Sequence, residues 1–206
     1  MLRATKRFLL ALKVILLIAL AYQIYAWCKP VSEIVLRLGE PYEQVRQRSG
    51  PVLPDREAAW RSLATVIAKV RFDDPVYGFV TPPSVFLGMT FDGPENSDIA
   101  SVYLSPQREP LPLDEAMAIV AQLQGQFRRG GWQPFQYSGM RPIEDKPELR
   151  RALRECNFPM SVWNGGEKYQ VALSIGCAAI PQQPGKERYL VKLEFMRPFW
   201  TDRPGE

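Results

Sequence analysis

The feature that most constrains this chain is the run of residues 8 to 28, FLLALKVILLIALAYQIYAWC, apolar apart from Lys13 and Gln23. A helix needs about 20 such residues to cross the ~30 Å hydrocarbon core of a bilayer. The run therefore predicts a transmembrane signal anchor. Arg3, Lys6 and Arg7 precede it, and no acidic residue occurs before Glu33. Cations collect on the cytoplasmic flank of a span, so residues 1–7 are expected in the cytoplasm and residues 29–206 on the other side. Lys13 is close enough to the cytoplasmic end to snorkel to the headgroups, and Tyr22, Tyr25 and Trp27 fit an aromatic belt at the outer interface.

Two other fates of this segment stay open. A cleaved signal peptide would use Ala26 as its last residue, but Ile24 stands where a small residue is wanted. Lipidation at Cys28 would want a small residue before it, and Trp27 is there.

The net charge of +4 belongs to this end of the chain. Arg3, Lys6, Arg7 and Lys13 account for all of it, because without them 22 basic residues face 22 acidic ones. A neutral outer domain lacks the basic patch that a nucleic-acid reader needs, so no nucleic-acid partner is expected. Two cysteines, Cys156 and Cys177, lie beyond the anchor. An oxidising compartment would let them form a disulfide, worth roughly 3 kcal/mol for a loop of this length; two buried free thiols are the alternative.

Periodicity divides the outer region into helices and strands. A short extended segment leads to a helix from Pro41 to Gly50, with Tyr42 and Val45 on its buried face. Residues 56–72 read two ways: Asp55 could cap a helix carrying Trp60, Leu63, Ile67 and Val70, or Val66, Ala68, Val70 and Phe72 could alternate along a strand. SVFLGMTF and IASVYLS, joined by DGPENSD, predict a hairpin. LDEAMAIVAQLQGQFRRGG has acids at its start, arginines at its end and glycines beyond, which predicts a helix over 113–129 with Met117, Val120, Leu123 and Phe127 inward. DKPELRRALREC predicts a shorter helix with Asp145 as its cap. MSVW, NGGE and KYQVALSIG predict a second hairpin, and ERYLVKLEFM a strand with Tyr189, Val191, Leu193 and Phe195 on one face and Lys192 and Glu194 on the other. The expected fold class is α+β, one domain over 29–206 whose antiparallel sheet is covered on one face by helices.

The chain has no histidine, which removes the commonest general base and metal ligand and every Ser/His or Cys/His arrangement. Carboxylates occur together at Asp73 and Asp74 and at Asp92, Glu95 and Asp98, where turn chemistry explains them better than catalysis or calcium binding. No catalytic residue, metal site or cofactor is expected. What remains is recognition. Tyr77, Phe79, Trp132, Trp163 and Trp200 stand in loop contexts as candidate partner contacts, although a one-sided sheet also needs such residues to cover it.

GEPYEQVRQRSG resembles the short helical segment of small outer-membrane assembly lipoproteins, over 12 residues only. The layout as a whole, with RFDDPVYGFVTPP before a hairpin and LDEAMAIVAQLQGQFRRGGWQPF after it, resembles membrane-anchored periplasmic immunity proteins of Gram-negative type VI secretion effectors. That resemblance implies a single-pass inner-membrane protein with its domain in the periplasm, a non-catalytic inhibitor that binds a toxic effector enzyme. An envelope assembly or scaffold factor binding another membrane protein is the competing expectation.

Overall fold

The computed structural model describes residues 31–57, 66–178 and 187–200. The predicted anchor at 8–28 lies outside the described residues, as do Trp60 and Leu63 of the alternative helix. Among the described residues no helix is long and apolar enough to cross a membrane.

Chain order is β1 (Glu33–Leu36), α1 (Tyr42–Ser49), β2 (Ile67–Phe72), β3 (Phe79–Val80), β4 (Ser84–Asp92), β5 (Asp98–Ser105), α2 (Leu113–Arg129), β6 (Gln133–Pro134), α3 (Pro147–Arg154), β7 (Met160–Gly165), β8 (Tyr169–Cys177) and β9 (Tyr189–Met196). The strands pair in the order β1-β2-β4-β5-β9-β8-β7-β6, with β3 attached to β2. Among the described residues only β1 and β2 run parallel. The fold is thus α+β with a predominantly antiparallel sheet. Its two meanders join where β9 returns to pair with both β5 and β8.

Residues 67–72 form a strand, because alternation places Ala68, Val70 and Phe72 inside and leaves Ile67 44% exposed. A helix would have turned Ile67 inward together with Val70. The β2–β4 ladder has only two pairs, Ile67 with Val85 and Ala68 with Ser84. Beyond them β2 leaves the main sheet and pairs with β1 and β3. Its last residue, Phe72, then brings its ring 4.7 Å from that of Phe195 on β9 and 4.9 Å from Tyr169 on β8. The β1-β2-β3 flap therefore folds over the sheet, and cover of the apolar face, expected from helices, is shared between this flap and α2.

Helix α2 follows its charge pattern. Asp114 and Glu115 lie in the first turn and Arg128 and Arg129 in the last, each sign where the helix dipole favours it. Met117, Val120, Leu123 and Phe127 are buried as their spacing requires. Buried Gln124 on the same face donates to the carbonyl of Ile143 and accepts from its N–H, both at 2.8 Å, and so ties the following loop to the helix.

Helix α3 departs from expectation at its start. Lys146 occupies the cap position, and Asp145 instead grips the Arg150 guanidinium with both carboxylate oxygens. At its other end Cys156 donates to the carbonyl of Leu153 and Asn157 to that of Ala152, a Schellman closure with Cys156 at φ +59° where glycine is usual. Cys156 and Cys177 are joined in a disulfide, their Cα atoms 5.3 Å apart, which fastens the end of α3 to the end of β8.

Candidate functional site: a groove on the open sheet face

Strand alternation gives the sheet two unlike faces. The inner rows, Val171, Leu173 and Ile175 on β8 and Tyr189, Val191, Leu193 and Phe195 on β9, form the main core with α2 and the flap. The outer rows carry Ala172, Ser174 and Gly176 on β8 and Leu190, Lys192 and Glu194 on β9. At one end this outer face is closed by a small second cluster of Phe135, Val162, Ala172 and Met196, onto which Met140 and Trp200 pack. Gln170 secures that closure. Its amide oxygen accepts from the backbone N–H groups of Phe199 and Trp200, and its nitrogen donates to the Trp200 carbonyl.

The rest of the outer face is an open groove of about 720 Å³. Register places Tyr103 opposite Glu194, and Ser174 opposite Lys192. Leu190, Met160, Pro110 and Phe158 supply the apolar rim. Phe158 is 65% exposed, yet its position is defined from below. A Cβ on Gly176 would fall 1.9 Å from the Phe158 ring, so only glycine lets the ring lie against the strand. The disulfide meets the groove at the same end, since Cys177 lines it and Cys156 stands two residues before Phe158.

Glu194 is half-buried, and burial pushes its carboxyl above the usual carboxylate range. Among the described residues neither Glu194 nor Lys192 has an ion-pair partner. Two opposite charges thus line the groove without an ion-pair partner among the described residues.

The aromatic residues singled out from sequence are placed elsewhere. Phe79, Trp132 and Trp163 are core residues, at most 3% exposed. Trp132 packs against Phe127 and Phe79, and Trp163 against Phe127, while half-buried Tyr77 meets the edge of Trp132 at 5.5 Å. The Trp132 indole N–H donates to the Tyr77 carbonyl at 3.0 Å. These four rings seal the junction between flap, helix and sheet, so Phe79, Trp132 and Trp163 are corrected from partner contacts to core. Loop context misled here because Phe79 and Trp163 lie within strands β3 and β7 and Trp132 just before β6, with their side chains buried in the core. Trp200 is half-buried in the second cluster beside exposed Phe199.

The acidic clusters hold the fold together. Asp73 pairs with Arg37 at 2.6 Å. Asp74 accepts from the backbone N–H groups of Val76 and Tyr77 and from the Tyr169 hydroxyl. Burial opposes its charge, but those hydrogen bonds prevail and hold its pKa below the ordinary value. Asp92 pairs with Arg197 at 2.7 Å and Asp98 accepts from the Ser97 hydroxyl at 2.8 Å. Arg56 spans the tip of that hairpin by donating to the carbonyls of Glu95 and Asn96. No group of three or more acidic or cysteine side chains among the described residues could hold a metal ion.

Sequence reasoning missed Phe158 and the groove. The alternation in ERYLVKLEFM already set Lys192 and Glu194 on the outer face, but nothing local marked Phe158, whose place depends on Gly176 eighteen residues later. Comparison with protein-family models, with curated proteins and with solved structures finds no match.

Proposed function

We propose that this chain is a non-catalytic, membrane-tethered periplasmic binding protein, and that it acts as an immunity protein neutralising a secreted toxic effector by binding it. The observation that carries the binding reading is the groove, where an exposed Phe158 stands at one end and Lys192 and Glu194, without an ion-pair partner among the described residues, line the floor. An exposed aromatic in an open groove is the kind of anchor that protein interfaces use, and charges along the same groove suit the polar rim that fixes a partner's register. The carboxylates best suited to chemistry are engaged in turns and ion pairs, which favours recognition over catalysis. The apolar run at 8–28, the basic residues before it and the disulfide favour a tethered domain in an oxidising compartment. The immunity role follows the sequence resemblance to type VI immunity proteins.

The test is affinity capture of the full chain from detergent-solubilised membranes, joined to deletion of its gene. A secreted toxin should co-purify, and deletion should kill only cells exposed to it. A deletion that alters the envelope with no toxin present would instead support an assembly factor.

A further inference from the structure

The groove is specific enough to describe its occupant, on the binding reading above. Lys192 and Glu194 lie two residues apart on one face of β9, roughly 7 Å along the strand. An extended peptide repeats its same-face side chains at that spacing. We propose that the groove receives an extended segment of the protein partner in which an arginine meets Glu194 and an acidic residue two positions away meets Lys192.

The surroundings fit each half of such a segment. A planar guanidinium can bond a carboxylate with two N–H groups while its face lies on an aromatic ring. Glu194 supplies the carboxylate, and Tyr103 stands directly across from it on β5. Lys192 supplies a point charge with Ser174 opposite it as a further polar partner. Met160 lies across Ser174 from Lys192, and Leu190 and Phe158 lie beyond Lys192 at the Gly176 end, where they suit apolar residues next to the acidic one. A bare acyl chain would leave both charges unanswered, and a free cation or anion would answer only one. Desolvation of Glu194 is a standing cost in the free domain that a partner's cation would relieve, the pattern of a site that gives up stability for binding.

The probe is an acetylated, amidated peptide with a central Glu-Ser-Arg flanked by leucines, titrated against the full chain in detergent micelles. Its control has glutamine in both charged positions. The charged peptide should bind at least about tenfold more tightly, and Glu194→Gln and Lys192→Gln should each remove about tenfold of that affinity without changing the control's, the scale of one charge-assisted hydrogen bond. Equal binding of the two peptides, no saturable binding of the charged one, or indifference to both substitutions would overturn the proposal. Thermal melts verify that the variants remain folded. A chain carrying both substitutions that captures its cellular partner as well as the unaltered chain would defeat the groove assignment alone. Failure of the unaltered chain to capture any partner would defeat the binding reading beneath it.

Discussion

The two faces of one sheet are built on opposite terms. On the inner face every row of β8 and β9 meets another apolar row from α2 or the flap, and Phe72, Phe79, Phe127, Trp132, Trp163 and Phe195 interlock in edge-on and tilted pairs. On the outer face the same strands present Ala172, Ser174, Lys192 and Glu194, and among the described residues only one end is covered. The inner face spends its side chains on stability. The outer face holds groups that contribute little to folding, or oppose it, which is where a binding surface can be built at least expense to the core.

The sharpest way to break this contrast is to truncate one residue from each side. Trp163→Ala, from a fully buried ring, should cost about 3–5 kcal/mol in urea unfolding. Ser174→Ala on the outer face should stay within about 0.5 kcal/mol. Comparable losses would mean the outer face is also core.

Next in size is the disulfide, which encloses a 21-residue separation and borders the groove. Replacing both Cys156 and Cys177 by alanine should cost about 3 kcal/mol. With Cys177→Ala in place, Cys156→Gly should recover up to about 1 kcal/mol relative to Cys156→Ala, because position 156 has φ +59°. The same substitutions should loosen the segment that carries Phe158, readable as faster amide exchange at Asn157 and Phe158.

How much of this was legible in the sequence depended on whether the signal was local. Helix 113–129 carries its charges, stripe and stop within its own residues, and both hairpins carry alternation and turn residues. The cysteine pairing, expected over two free thiols, is present. The flap was not legible, since β2 leaves β4 after two pairs for partners at residues 33–36 and 79–80, and no pattern within 67–72 states that. For that reason Phe79 read as a loop aromatic although it closes the core, while Trp132 and Trp163, next to and within the second meander, are buried by the flap and α2. The groove was half legible: alternation exposed Lys192 and Glu194, while the wall at Phe158 needed the contact with Gly176.

A smaller effect separates the acids of the two regions by pH. Asp74, beside the inner core, has its folded pKa lowered below its unfolded value, so its contribution is present above the unfolded value of ~3.9 and is lost as pH falls through the folded one. Asp74→Asn should lower stability by about 1–2 kcal/mol at neutral pH and flatten the acid limb of a stability profile.

Glu194, on the outer face, has the opposite sign. Its folded pKa is raised, so its cost is full at pH above that value and fades as pH falls toward the unfolded one. Glu194→Gln should leave neutral-pH stability unchanged or slightly higher, by under about 1 kcal/mol, in thermal melts. A marked loss would show that Glu194 supports the fold.

The most direct measurement of the central claim, that the open face binds and the packed face supports, is amine footprinting of the complex recovered by affinity capture. Lys192 lies in the groove, and exposed Lys69 lies on the flap. Partner binding should protect Lys192 from acylation and leave Lys69 as reactive as in the free chain. Equal labelling of Lys192 with and without partner would contradict the account.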